Sequence, residues 1–234
     1  EAIGGGAFYA QHSTPNIVDC TFTGNSSSAG GAILARDCDD TEITNCSFVD
    51  NSCGTADGSS GGGGAIHIGS LPADGTTCSV IMTNCTFTSN TTNGSGGGLF
   101  LAWTTSAELI DCTFSNNEAD NGGGGVADWA INSSYLRCTF SNNASPLWGG
   151  GVEVVRTNVD HGSFIMDECD FSGNTSIDNT GSDEGWGGGV ALVDGSSPNF
   201  NGELSNCTFE NNISTFVGGA ITSCWTPMKI TDCE

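Results

Sequence analysis

The chain has 234 residues, with 27 Asp and Glu against 4 Lys and Arg, a formal net charge of −23 and 12 cysteines. Such a surface repels phosphate backbones and anionic headgroups, which excludes nucleic acid and polybasic docking to membranes as partner classes. No apolar run approaches the roughly 20 residues of a membrane span.

In chain order, the first unit reads Ile17, Asp19, Cys20, Phe22 and Asn25, then a polar stretch, then Gly30-Gly31 and the apolar run Ala32–Ala35. The second repeats it with Ile43, Asn45, Cys46, Phe48 and Asn51, an insert from Ser52 to Gly62, then Gly63-Gly64 and Ala65–Ile68. The pattern recurs at Cys85, Cys112, Cys138, Cys169 and Cys207, each followed by Phe-x-x-Asn, and begins again at Cys233. A fixed phrase with elastic spacers predicts a stack of similar coils, with inserts such as Ser176 to Gly185 bulging from its side.

Each unit contains short β-type pieces. A large apolar residue stands three places before each ladder cysteine and a polar one directly before it, such as Asp19, Asn84 or Asp111. Strict alternation would put both on one face, so the chain must bend at the polar residue, where Asn and Asp tolerate the left-handed conformation. Cysteine and phenylalanine then share an inward face, and the small or polar residue two places after each Phe starts the next turn. A coil of roughly three short strands cannot bury its own apolar face, but stacked coils can. The expected fold is all-β: a right-handed parallel β-helix, a solenoid of about eight rungs. We read residues 1–234 as one array, open mid-repeat at both ends, either part of a longer parent chain or able to self-associate end to end.

Gly30-Gly31-Ala32-Ile33, Gly63-Gly64-Ala65-Ile66 and Gly218-Gly219-Ala220-Ile221, alternating with Phe-x-x-Asn, resemble the repeats of polymorphic outer-membrane proteins. The resemblance spans essentially the whole chain. It implies a secreted, surface-exposed β-helix used for adhesion or as a structural coat, with glycans or host and cell-surface proteins as partners.

The cysteines show no Cys-x-x-Cys and no His at ligand spacing, which disfavours zinc and iron–sulfur sites and favours an oxidising, extracellular location. The ladder Cys20, Cys46, Cys85, Cys112, Cys138, Cys169, Cys207 and Cys233 would stack rung on rung. Small shifts would permit Cys20–Cys46 or Cys207–Cys233 disulfides, and Cys38, Cys53, Cys78 and Cys224 lie off the ladder, freer to bridge; connectivity stays open. Asn-x-Ser/Thr triplets at Asn25, Asn45, Asn84, Asn90, Asn93, Asn132, Asn143, Asn174, Asn206 and Asn212 are N-glycosylation candidates, although the repeat itself writes three of them as Asn-Cys-Ser/Thr.

Trp148 and Trp186 each precede a Gly-Gly-Gly and should stack in neighbouring rungs, as a contact platform for sugars or protein or as an ordinary aromatic cover. No cofactor is expected beyond covalent N-glycans and incidental Ca²⁺ at Asp37, Asp39, Asp40 and Glu42. His12, His67 and His161 fall in unrelated contexts, and the four cations Arg36, Arg137, Arg156 and Lys229 are too scattered for polyuronate lyase chemistry. The acidic pairs Asp39-Asp40, Asp167-Glu168 and Asp183-Glu184 read as solvated acids rather than a hydrolase pair. The expected function is a non-catalytic, glycosylated structural or adhesive component of an extracellular filament. A polysaccharide lyase or hydrolase, and a glycan- or receptor-binding adhesin without filaments, are the alternatives.

Overall fold

The computed structural model describes residues 4–54, 62–69, 78–102, 105–156, 162–178, 185–193, 200–224 and 227–234. Its strands form four parallel sheets, two of eight strands and two of seven, in which every strand pairs with its equivalent one coil away. Sheet 1 runs from Phe8–Gln11 to Ile221–Ser223 and sheet 2 from Asn16–Val18 to Met228–Thr231. Sheet 3 runs from Thr21–Thr23 to Thr208–Glu210, and sheet 4 from Ser26–Ser27 to Ile213–Ser214. The chain is therefore a parallel β-helix, with four strands in a full coil. The fourth, only two residues long, follows each ladder asparagine inside what the sequence marks as a turn.

Three recurrent left-handed positions make the corners. The residue before each ladder cysteine takes φ near +50°, as in Asp19 (54°), Asn45 (54°), Asn84 (52°) and even Arg137 (51°). The position two after each Phe does the same at Asp50, Ser89, Asn116, Asn142 and Asn211, with glycine at Gly24 and Gly173. The third corner is the first glycine of the Gly-Gly pair, for example Gly123 at 64° and Gly149 at 61°. The second glycine has a different reason: a Cβ on Gly64, Gly97 or Gly124 would collide with the glycine carbonyl of the next coil and with the two-residue strand.

Inside the rod, the ladder residues form one continuous core. Phenylalanines from Phe22 to Phe209 stack face to face, with centroids between 4.5 Å (Phe87–Phe114) and 5.1 Å (Phe114–Phe140). Beside them runs an asparagine ladder. Asn90 Nδ2 donates both to Phe48 O (3.0 Å) and to Asn117 Oδ1 (3.0 Å), and the Asn90 backbone N–H donates to the same Oδ1 (3.0 Å). Asn51, Asn117, Asn143 and Asn174 repeat this arrangement, and all five side chains are buried. The amide ladder fastens the turn after each Phe to the coils on both sides, satisfying backbone groups that would otherwise be orphaned in the interior.

Candidate functional site

A concave feature on the outer face of sheet 2 forms a groove of about 590 Å³. Two outward rows build it. Ser79, Ser106, Asn132 and Ser163 align in register across four strands, and Ile81, Glu108, Ser134 and Ile165 align beside them. Period-two alternation turns these residues out and their neighbours Val80, Ala107, Ser133 and Phe164 in. Asp40 and Glu42 close one end. Ile81 is 43% exposed and Ile165 37%, so the floor offers aliphatic contact between hydroxyls and carboxylates.

Local hydrogen bonds hold the lining. Ser79 Oγ accepts from the Asp40 backbone N–H (2.7 Å), Ser163 Oγ donates to Asn132 Oδ1 (3.1 Å), and Asn16 Nδ2 reaches Glu42 Oε2 (3.4 Å). Among the described residues, the lining includes no Lys, Arg or His. Among the cations, Arg137 makes a bidentate pair with Asp111 (2.7 and 3.0 Å) that holds the Asp111 carboxyl below its usual range, and Lys229 pairs with Glu203.

Beneath the groove sits a charged network that the sequence reading missed. Asp128 occupies an inward row whose neighbouring members are Ala35, Ile68, Leu101, Val154 and Leu192. Ser133 Oγ donates to Asp128 Oδ2, Tyr135 OH donates to it at 3.0 Å, and Arg156 Nη1 lies 3.1 Å from Oδ1. Arg156 also donates to Asp128 O (2.7 Å) and Ser133 Oγ (2.9 Å), and its guanidinium lies 5.7 Å from the Phe200 ring centroid. Burial, followed by the Asp128 charge, pushes the Tyr135 hydroxyl well above its ordinary range. A charged residue in a row of aliphatics, with a Tyr in a row of Ile, Leu and Met, was the signal available in the sequence.

Sheet 1 is covered on its outer face as well. Phe100, Ala102 and Ala127 form a satellite cluster with Trp129, and His67 packs edge-on to Phe100 at 4.9 Å. Burial, with Arg36 second, lowers the His67 imidazole to about 4. Glu153 is 1% exposed; burial raises its carboxyl to about 7, against the Trp129 Nε1 bond to Oε2 (3.2 Å), and Oε1 has no partner among the described residues.

The sequence candidates fall in different places. All twelve cysteines are free thiols in this structure. The ladder sulfurs face carbonyls: Cys85 Sγ lies 3.4 Å from both Ile43 O and Thr83 O. Cys38 N–H donates to Cys78 Sγ (3.0 Å), and burial pushes the Cys78 thiol up to about 11. Trp148 and Trp186 are bridge partners in adjacent coils, both half-buried, and the Trp186 ring stacks on Phe216 at 6.3 Å. Asp39 and Asp40 are both exposed, and Asp40 lines the groove. Among the described residues, no group of three or more His, Cys, Asp or Glu side chains is placed to hold a metal ion. His161 and Asp183-Glu184 lie outside the described residues.

The ten triplets divide by orientation. Asn90, Asn143 and Asn174 are buried ladder members, with Asn25 and Asn212 at its half-buried ends. Asn45, Asn84, Asn93, Asn132 and Asn206 are exposed. Most triplets also have a structural origin. In the ladder type, the third-position hydroxyl bonds a turn, as with Ser145 Oγ to Trp148 O (2.9 Å) and Ser214 Oγ to Val217 O (2.9 Å). In the Asn-Cys-Ser/Thr type, a corner Asn, a core Cys and an outward hydroxyl coincide.

Residues 5–223 match a family model described as a right handed beta helix region. No curated protein and no solved structure matches the chain.

Proposed function

The chain belongs to the right-handed β-helix family, and from that premise we propose a non-catalytic structural and adhesive rod of the extracellular surface. Its sheet 2 groove docks hydroxyl-rich glycans carrying neutral or amino sugars. The lining carries this reading: serines, Asn132 and carboxylates offer acceptors and donors, Ile81 and Ile165 offer aliphatic contact, and no described lining residue is a cation that would hold a polyanion. The surface role that the polymorphic outer-membrane repeats imply, including assembly into filaments, forms part of the same proposal. To test it, neutral, amino and uronic oligosaccharides are titrated onto the protein, and native material is imaged by electron microscopy. Binding of the first two classes, lost in Ile81→Glu with the β-sheet spectrum intact, supports the proposal. Binding confined to uronic chains sinks it.

A second reading has one observation in its favour. Glu42 and Glu108 align with Ile81 between them, two rungs apart, or about 9.6 Å along the sheet at the usual strand spacing. That is near the carboxyl separation of inverting glycoside hydrolases. Polysaccharide cleavage abolished by either Glu42→Gln or Glu108→Gln would replace the binding proposal with this one.

A further inference from the structure

We infer that the folded rod carries N-glycans at Asn45, Asn84, Asn93, Asn132 and Asn206 but not at Asn90, Asn143 and Asn174, and that the glycan on Asn132 screens the sheet 2 groove. The argument begins with the amide hydrogens. N-glycosylation joins Nδ2 to C1 of a lipid-pyrophosphate-linked oligosaccharide: the N–C bond forms, the C1–O bond to pyrophosphate breaks, and one amide proton leaves with the lipid pyrophosphate. The acceptor must therefore give up one of its two N–H groups and face open space. Asn90, Asn143 and Asn174 can do neither. Each has 0% exposure, and each donates both hydrogens: Asn143 to Phe114 O (3.0 Å) and Asn174 Oδ1 (3.0 Å), and Asn174 to Phe140 O (2.8 Å) and Asn212 Oδ1 (2.9 Å). A sugar there would break the ladder and force apart coils in contact, so a chain glycosylated there cannot complete the helix.

The outward asparagines differ in both respects. Asn45 Nδ2 donates to Asp19 Oδ1 (3.0 Å), Asn84 Nδ2 to Asn45 Oδ1 (2.9 Å) and Asn206 Nδ2 to Asp167 Oδ1 (2.8 Å), one contact each along an exposed corner. Replacing the second hydrogen leaves these bonds standing. Asn132 is exposed, opens its strand and lines the groove, with Ser106 and Ser163 as its register partners. Among the described residues its side chain accepts from Ser163 through Oδ1, which a glycan on Nδ2 does not disturb. A branched oligosaccharide rooted there hangs over the hydroxyl row.

The inference deepens the surface reading above, and its test supplies the secretory route so that the two fail separately. The full chain is directed through the secretory pathway of cultured eukaryotic cells by a cleavable leader, and the secreted protein is treated with peptide N-glycosidase in heavy-oxygen water. Peptide mass spectrometry should find labelled Asp at positions 45, 84, 93, 132 and 206 and unmodified Asn at 90, 143 and 174. Occupancy at any of those three in secreted protein with a native β-sheet spectrum overturns the inference, as do five bare outward sites. For the groove, Ser106→Cys is labelled with a bulky maleimide and the rate at that peptide compared with and without Asn132→Gln. Labelling should be severalfold slower when the glycan is present; equal rates refute the screening role. A native protein found only inside cells would end the surface reading while leaving these results intact.

Discussion

Replacing Asn117 by Ala removes one link of the amide ladder. Its Nδ2 donates to Phe87 O (3.0 Å) and Asn143 Oδ1 (2.9 Å), and its Oδ1 accepts from the Asn90 backbone N–H and Asn90 Nδ2, both at 3.0 Å. All four bonds lie in the dry interior, where Asn90 and Asn117 are 0% exposed. At a net value of about 1 kcal/mol per bond, the loss is about 4 kcal/mol, and the orphaned Asn90 N–H adds to it because water does not replace the acceptor. That is a large part of the 5–15 kcal/mol that typical domains possess. Urea titration followed by far-UV circular dichroism measures it, with Asn116→Gly as the neighbouring control. Asn116 is exposed and takes φ +55°, a conformation glycine adopts freely, so its variant should stay within about 0.5 kcal/mol of the parent. An Asn117→Ala protein within about 1 kcal/mol of wild type, with unchanged cooperativity, would refute the ladder as the fastening between coils.

Three further perturbations have defined outcomes. Glu153 has its carboxyl raised to about 7 by burial, so the folded state binds its proton more tightly than the unfolded chain. The associated stability is fully present below the unfolded value near 4.5 and is lost as pH rises through 7. Glu153→Gln should therefore match wild type near pH 4.5 and exceed it by about 3 kcal/mol at pH 8 in thermal or urea melts. Phe114→Ala opens the ring stack between Phe87 and Phe140 and should cost about 3–5 kcal/mol by urea titration. Arg156→Met strands the buried Asp128 carboxylate and should cost about 3–5 kcal/mol in the same assay. Adding Asp128→Leu should recover much of that loss; a double variant no better than the single would show that the pair does not act as a unit.

The repeat phrase by itself determined the coil: Phe and Cys at period two point inward, Asn or Asp ahead of the cysteine supplies a left-handed corner, and Gly-Gly marks another. These are local, recurrent constraints, so a single chain states them several times over. The fourth strand escaped because two residues beside a turn carry no periodicity. The Asn of Phe-x-x-Asn was legible as a motif but not as an interior ladder, since an amide is buried only when coils above and below supply both of its partners. The same holds for the triplets: one three-residue word is a buried tie at Asn143 and an exposed side chain at Asn84, depending on the corner at which it falls. Asp128, Tyr135 and Arg156 meet only because adjacent coils bring residues 28 apart into contact. The groove likewise exists only as a register across strands, where residues that are unremarkable along the chain become neighbours across the sheet.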